Sequence, residues 1–414
     1  MKFPLALGAA AMAAALSLSA CSSGASKGGG ASSSVPPIPA LAGPVIKIGT
    51  IGDYSQSTQF GNAQPERVSA IQAAVDAINV AGGIGGKKVE LEPCDEKGDP
   101  NQAAACARQF VTDHVVATVG DSSTFADRYN ATLLAAGIPR IGPLAVGPTE
   151  YTAANNYPLS GGAVTLFGGD IAFGAKLGYT TTTVIAIETP QTSLLTALLA
   201  GPLAANKVTN KSTIQIPQDA TDMSPYVNKA KQSGAQFVVV GLNPALLEQF
   251  LLTSQQLGAK YKVMVPNSAL SQASVDKLGG ATGAAEGVYL AGPFPPATAT
   301  GLATIDLFNR EMDIRQARGD SNAQLSKRDI TVEGWLATHA FGAIAKMVTG
   351  TVTAASLDAV LKTAKDVDLG DIMPPWSPSA TGSPLPRVTN TEGYLLQVKN
   401  GKEVLYQADR VKMF

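Results

Sequence analysis

The sequence predicts two doubly wound α/β domains, and three observations carry that prediction. The stretch from Val45 to Pro100 reads as strand, helix, strand. The same alternation restarts after a glycine-containing interval, Gly161 to Gly174, and continues as far as Leu290. At 414 residues and 45% hydrophobic, the chain is long enough to bury two substantial cores.

The first strand is Val45 to Gly52, where apolar and small residues alternate as in a buried parallel strand before stopping at Gly52-Asp53. A loop follows, and Pro65 suits the first turn of a helix, where its missing N–H costs nothing. Val68, Ile71, Val75 and Ile78 then recur at three, four and three residues, one apolar stripe on a long helix. Asn79 to Gly83 ends that helix, since glycine takes the left-handed conformation a C-cap needs, and Lys88 to Glu92 begins the second strand. Asp99 and Pro100 read as N-cap and first helical position, with Ala104, Ala107, Phe110 and Val111 as the apolar face.

Strand Val115 to Val119 delivers the chain to a polar loop, Gly120 to Thr124, at the carboxyl edge of the sheet, where open α/β sheets bind ligands. Asp121, Ser122 and Ser123 are therefore candidate contacts, with helix capping as their competing role. Ile138 to Pro143 is the next strand and opens into Leu144, Ala145 and Val146.

Beyond Gly174 the predicted strands are Val184 to Ile187, Ser212 to Ile216, Phe237 to Val240, Val263 to Val265 and Glu286 to Leu290. Helices lie at Thr192 to Ala205, from Ser224-Pro225, and at Ala245 to Leu257. The same edge rule selects Gln191, Asn243 and Asn267, of which Gln191 and Asn243 could instead have a helix-capping role. Helices Leu302 to Arg315 and Val332 to Met347 follow, then a Ser356-capped helix carrying Leu361. Gly393 to Val398 and Glu403 to Tyr406 form a late strand pair joined by Asn400-Gly401, a strong hairpin signal.

Composition narrows the function. Charged residues are 15% and the net charge is -1, so no basic surplus exists for nucleic-acid phosphates. Lys2 precedes an apolar run from Leu5 to Leu18, too short to span a membrane, and Leu18-Ser19-Ala20-Cys21 reads as a lipobox. On that reading residues 1–20 are a lipoprotein signal peptide, Cys21 carries lipid, and residues 21–44, Gly/Ser-rich then Pro-rich, form a flexible tether. An even pair of cysteines remains, Cys94 and Cys106, and in an exported chain such a pair favours a disulfide. Two histidines, His114 and His339, are too few and too far apart for a zinc site.

Several motifs in order resemble one family. These are IKIG at Ile46, FGN at Phe60, the NxxGGIxGxK run from Asn79 to Lys87, DPxxA at Asp99 to Ala103, SST at Ser122 to Thr124 and IPxIxP at Ile138 to Pro143. Residues 45 to about 410 resemble the type I periplasmic substrate-binding proteins, in their branched-chain amino-acid branch. The resemblance implies a Venus-flytrap fold with a three-segment hinge, lobe 1 being 45–162 and 293–350 and lobe 2 being 163–292 and 351–414. It implies a small solute captured by hinge closure and delivered to an ABC permease, with no cofactor and a monomeric state.

By the same resemblance Phe60 packs on the solute side chain, and the Leu144 to Val146 loop meets its charged groups. Two positions depart from the family. Val146 stands where a threonine is usual, and Asn267 where amino-acid binders often carry an acid that neutralises the ligand ammonium. A buried ammonium without a carboxylate is costly. The departures therefore favour a small, mostly apolar carboxylate or amide, with Asp121 as the alternative ammonium partner. Glu333 and Trp335 lie near the returning segment, Trp335 better placed in the core.

Catalysis has little support. Gly120 to Thr124 lacks the closing glycine of a GxSxG elbow, and Gly82 to Lys88 has neither the spacing nor the Ser/Thr of a phosphate loop. A sensory or assembly lipoprotein on the same fold is the competing class.

Overall fold

The computed structural model describes residues 35–55, 63–188, 195–325, 328–382 and 385–413. Cys21, Phe60 and Gln191 lie outside the described residues.

Strand β1 (Ile46–Gly52) runs as predicted, and helix α1 (Pro65–Val80) follows it. Next come β2 (Val89–Asp95), α2 (Pro100–Thr112), β3 (Ala117–Val119), α3 (Ala126–Ala135), β4 (Arg140–Ile141), α4 (Pro148–Thr152) and β5 (Asn156–Tyr157). These strands pair in the order β2-β1-β3-β4-β5, all parallel. Asn79 ties the first unit together: its side chain donates to the Val89 carbonyl and accepts from the Val89 N–H, both at 2.8 Å, locking the end of α1 to the start of β2. Asp99 caps α2, accepting from Asn101 N at 2.7 Å, with Pro100 at the first helical position. The Cys94–Cys106 disulfide joins β2 to α2.

The second sheet is built by α5 (Gly162–Lys176), β6 (Thr181–Ile187), α6 (Ala200–Ala205), β7 (Thr209–Ile216), α7 (Ser224–Gln232), β8 (Phe237–Gly241), α8 (Pro244–Gln256), β9 (Lys262–Pro266), α9 (Gln272–Lys277) and β10 (Tyr289–Gly292). The chain then returns to the first lobe with α10 (Ala303–Ala317), α11 (Asp329–Met347) and α12 (Ala354–Leu361). It comes back once more for β11 (Glu392–Lys399), β12 (Lys402–Leu405) and β13 (Val411–Lys412). The order is β12-β11-β10-β9-β8-β6-β7, parallel from β7 to β10 and antiparallel at β11 and β12, with β13 beside β11. Asn400 and Gly401 both have positive φ, 54° and 70°, the backbone the two-residue hairpin requires.

The chain thus passes between two lobes three times, at Ser160–Gly162, Gly292–Pro295 and Val388–Glu392, giving the two-lobe α/β fold expected. Side chains bind these crossings together. Glu333, on α11, accepts from Ser160 Oγ at 2.9 Å, and Asn390 Nδ2 donates to the Leu159 carbonyl at 3.2 Å. Helix α11 packs along α1, where any Cβ at Gly334 would lie 2.9 Å from Arg67 Cγ, and passes close to the end of β3, where any Cβ at Gly120, with φ at +58°, would lie 2.9 Å from the Gly334 Cα.

Three expectations are corrected. The segment after residue 350 packs first with lobe 1, not lobe 2: Leu357, Leu361, Val367 and Trp376 share one apolar core with Ile46, Ile71 and Phe341. Trp376 Nε1 also donates to the Pro158 carbonyl at 3.2 Å. Helix α12 is capped by Thr353, whose Oγ1 accepts from Ser356 N, while Ser356 returns a bond to Thr353 N. Strand β10 starts three residues later than predicted because Gly287, with φ +79°, turns the chain before it.

Candidate functional site

Parallel strands present their carboxyl ends on one edge, and in this fold the two edges bound a common cavity of about 350 Å³. The loops after β1, β3 and β4 bring Asp53, Ser122, Thr124, Leu144 and Val146 to it. From the other side come Ile187, Leu242, Asn243 and Pro266, at or just beyond strand ends, and Leu166 and Phe167 from α5. Arg328 and Ile330, at the start of α11, complete the wall.

Behind the first-lobe loops lies a buried ionic network. The Arg140 guanidinium, fully buried, donates to Asp121 Oδ2 at 2.9 Å, Glu150 Oε1 at 3.0 Å, the Tyr129 hydroxyl at 2.8 Å and Asn156 Oδ1 at 3.2 Å. Each carboxylate then fixes backbone. Asp121 Oδ1 accepts from Ile51 N at 3.1 Å, and Glu150 Oε2 accepts from Val146 N at 2.8 Å and Gly147 N at 3.2 Å. One arginine therefore anchors the loops after β3 and β4.

The predicted residues divide accordingly. Ser122, Ser123, Leu144, Val146 and Asn243 lie on the cavity wall. Ser123 is already engaged, donating to Glu96 Oε2 at 2.7 Å and accepting from Phe125 N at 2.9 Å. Asn243 also caps α8, accepting from Leu246 N at 3.0 Å. Asp121, Ala145 and Asn267 are not on the wall. Asp121 is consumed by Arg140, Thr118 and Ile51, which removes it as an ammonium partner. The Ala145 carbonyl accepts from the Tyr151 hydroxyl and from Ala163 N. Asn267 is buried beside the second crossing, its Nδ2 donating to the Phe294 carbonyl at 3.4 Å. Trp335 is core, its Nε1 donating to Glu311 Oε2 at 2.7 Å.

Sequence reasoning missed Asp53, Gln64, Thr124, Phe167 and Arg328 as wall residues. The strand-edge rule applied to β1 points straight at Asp53. Burial raises the Asp53 carboxyl above its ordinary value, partly offset by the Gly98 N–H at 2.5 Å. Burial also pushes Glu96, behind Ser123, up to about 8. Thr124 Oγ1 and Gln64 Oε1 are buried without a hydrogen-bond partner among the described residues. Arg328 links the lobes, donating to Glu66 Oε1 at 2.9 Å and to the Ser268 carbonyl at 3.1 Å.

A family model described as periplasmic binding protein matches residues 45–403. The chain belongs to the periplasmic binding protein family. That family is one of solute-binding proteins, not enzymes. Over 78 residues this periplasmic binding protein is 38% identical to the Leu/Ile/Val-binding protein homolog 3 of Brucella melitensis, a match covering 19% of this chain and 21% of that relative. The aligned region thus spans about a fifth of the curated relative. Among solved structures, the leucine-, isoleucine-, valine-, threonine- and alanine-binding protein of Brucella ovis, in a closed conformation, superimposes with TM-score 0.73 at 15% identity, over 90% of this chain and 96% of the other. A solute-binding protein of an ABC transporter from R. palustris, in complex with 4-hydroxybenzoate, gives TM-score 0.70 at 16% identity, over 89% and 97%. At these identities the structural likeness shows the shared fold.

Proposed function

We propose that this chain is the extracytoplasmic solute-binding lipoprotein of an ABC importer. It captures a small amino acid or a related carboxylate or amide between its lobes by hinge closure and delivers it to a membrane permease. The single observation that carries the reading is the cavity itself. Both sheets contribute their carboxyl edges, and the wall is apolar along Leu144, Val146, Leu166, Phe167 and Leu242. At the first-lobe end sit polar atoms without partners among the described residues, Thr124 Oγ1 and Gln64 Oε1. Buried polar atoms are ordinarily satisfied, so a solute with one polar end and an apolar body supplies what the site lacks.

Contacts from both lobes give closure its driving force, since only interactions that differ between states shift the balance. The lipobox at Leu18 to Cys21 supports anchoring through lipid on Cys21, and residues 21–44 supply the reach from the membrane. Among the described residues no helix is long and apolar enough to cross a membrane. The neighbours of known ligand, one binding amino acids and one holding 4-hydroxybenzoate, support the solute range proposed.

The test is a thermal-shift screen of the full-length chain against amino acids, aliphatic and aromatic carboxylates, amides and sugars. A true solute at ~100 times its Kd adds about 2.7 kcal/mol of stability, several degrees of melting temperature. No shift with any of these overturns the proposal.

A further inference from the structure

Resting on the solute-binding reading, we infer that the cavity selects a solute carrying an ammonium group on a small apolar body, and that Asp53 is its countercharge. Asp53 is the first residue beyond β1, on the carboxyl edge, and lines the cavity while only 7% of its surface is exposed. Its Oδ1 accepts from Gly98 N, and no other hydrogen bond to its side chain is made by the described residues. Nor does any Lys, Arg or His among them form an ion pair with it. An almost buried carboxylate with no cation is costly unless something else brings the positive charge.

The surroundings sharpen the requirement. Asp95 stands close enough to repel the Asp53 charge, and its own oxygens are occupied by Tyr54 N, Lys97 N and the Ser55 hydroxyl. Among the described residues Arg328 is the cation on the wall, and it is held by Glu66 and the Ser268 carbonyl rather than by Asp53. With Asp127 also on the wall, the described residues bring Asp53 and Asp127 against one arginine that already has a carboxylate partner. Such a wall favours a solute that brings a positive charge.

Hydrogen-bond chemistry agrees. Gln64, whose N–H donates to the Asp53 carbonyl at 2.9 Å, places an unpartnered acceptor, Oε1, on the same wall. An ammonium has three donors and no acceptor, so a carboxylate and a carboxamide oxygen suit it. The apolar wall described above takes the hydrocarbon part.

The experiment compares two probes that carry the same 3-methylbutyl group by calorimetry on the full-length chain: 3-methylbutylamine and 4-methylpentanoate. The amine is expected to bind at least tenfold more tightly than the acid, and Asp53→Asn to weaken the amine at least tenfold while its melting temperature stays equal or rises. Should Asp53→Asn not fold, the two probes on the unaltered chain still decide. An acid that binds as well as the amine, or an amine indifferent to Asp53→Asn, overturns the inference and leaves the solute-binding reading intact. Binding of neither probe, with no solute found in the thermal screen, overturns both.

Discussion

Replacing Arg140 with methionine is the sharpest structural perturbation available. Arg140 is fully buried and holds Asp121 and Glu150, both about 1% exposed, at 2.9 and 3.0 Å. Removing one partner of a buried pair costs about 3–5 kcal/mol, because the remaining charge is left uncompensated. Here one deletion strands two carboxylates together with the Tyr129 hydroxyl and Asn156 Oδ1. Relaxation and protonation limit the sum, since burial already raises the Glu150 carboxyl. The net expectation is a loss of roughly 3–5 kcal/mol, or about 3–6 °C in melting temperature for a chain of this size. Because Glu150 positions Val146 N and Asp121 positions Ile51 N, solute affinity should fall as well. Thermal unfolding by circular dichroism reads the first effect and solute titration the second. The triple change Arg140→Met, Asp121→Asn, Glu150→Gln should recover part of the stability. A shift below about 2 °C for Arg140→Met refutes the reasoning, since it would place the network outside the fold's stability.

Three further outcomes are expected. Glu96 and Asp329 are fully buried and pushed up to about 8 and about 7 by burial, above their unfolded values, so their stabilising contribution is complete below about pH 4 and is lost as pH rises toward 8. Denaturant midpoints between pH 5 and 9 should therefore decline more steeply in the parent than in Glu96→Gln or Asp329→Asn, and equal slopes would contradict this. Opening the Cys94–Cys106 bridge, which spans 12 residues of sequence, should cost about 3 kcal/mol by denaturant unfolding of Cys94→Ser, Cys106→Ser, with no loss counting against it. Thr124→Val removes an unpartnered buried hydroxyl, so stability should hold or rise while solute affinity drops about tenfold in calorimetry; unchanged affinity would take Thr124 out of the site.

Most of the architecture was legible because it rests on local rules. The Val68 to Ile78 stripe, the Asp99-Pro100 helix start and the Asn400-Gly401 turn are each fixed within a few residues of sequence. The packing of 351 to 376 onto the first lobe was not, since Leu357 and Trp376 find their partners some two to three hundred residues away. The cavity was legible at its edges, because every parallel strand must end there, so Ser122 and Asn243 could be named, while Val146 was named from the family resemblance. What local pattern could not supply was which polar side chains the interior consumes. Asp121 reads as an exposed loop acid until Arg140, nineteen residues on, turns out to occupy it, whereas Asp53 has no such partner. Asn267 sits at the correct strand end, but the 3₁₀ turn from Asn267 to Ala269 directs it to the crossing at Phe294 rather than to the wall.

The most direct test of capture between two lobes is amide hydrogen exchange on the full-length chain with and without a stabilising solute. The account predicts protection on both edges at once, over 122–125 in the first lobe and over 241–244 in the second, together with the crossings near 160 and 292. Protection confined to one lobe would contradict closure around a shared site.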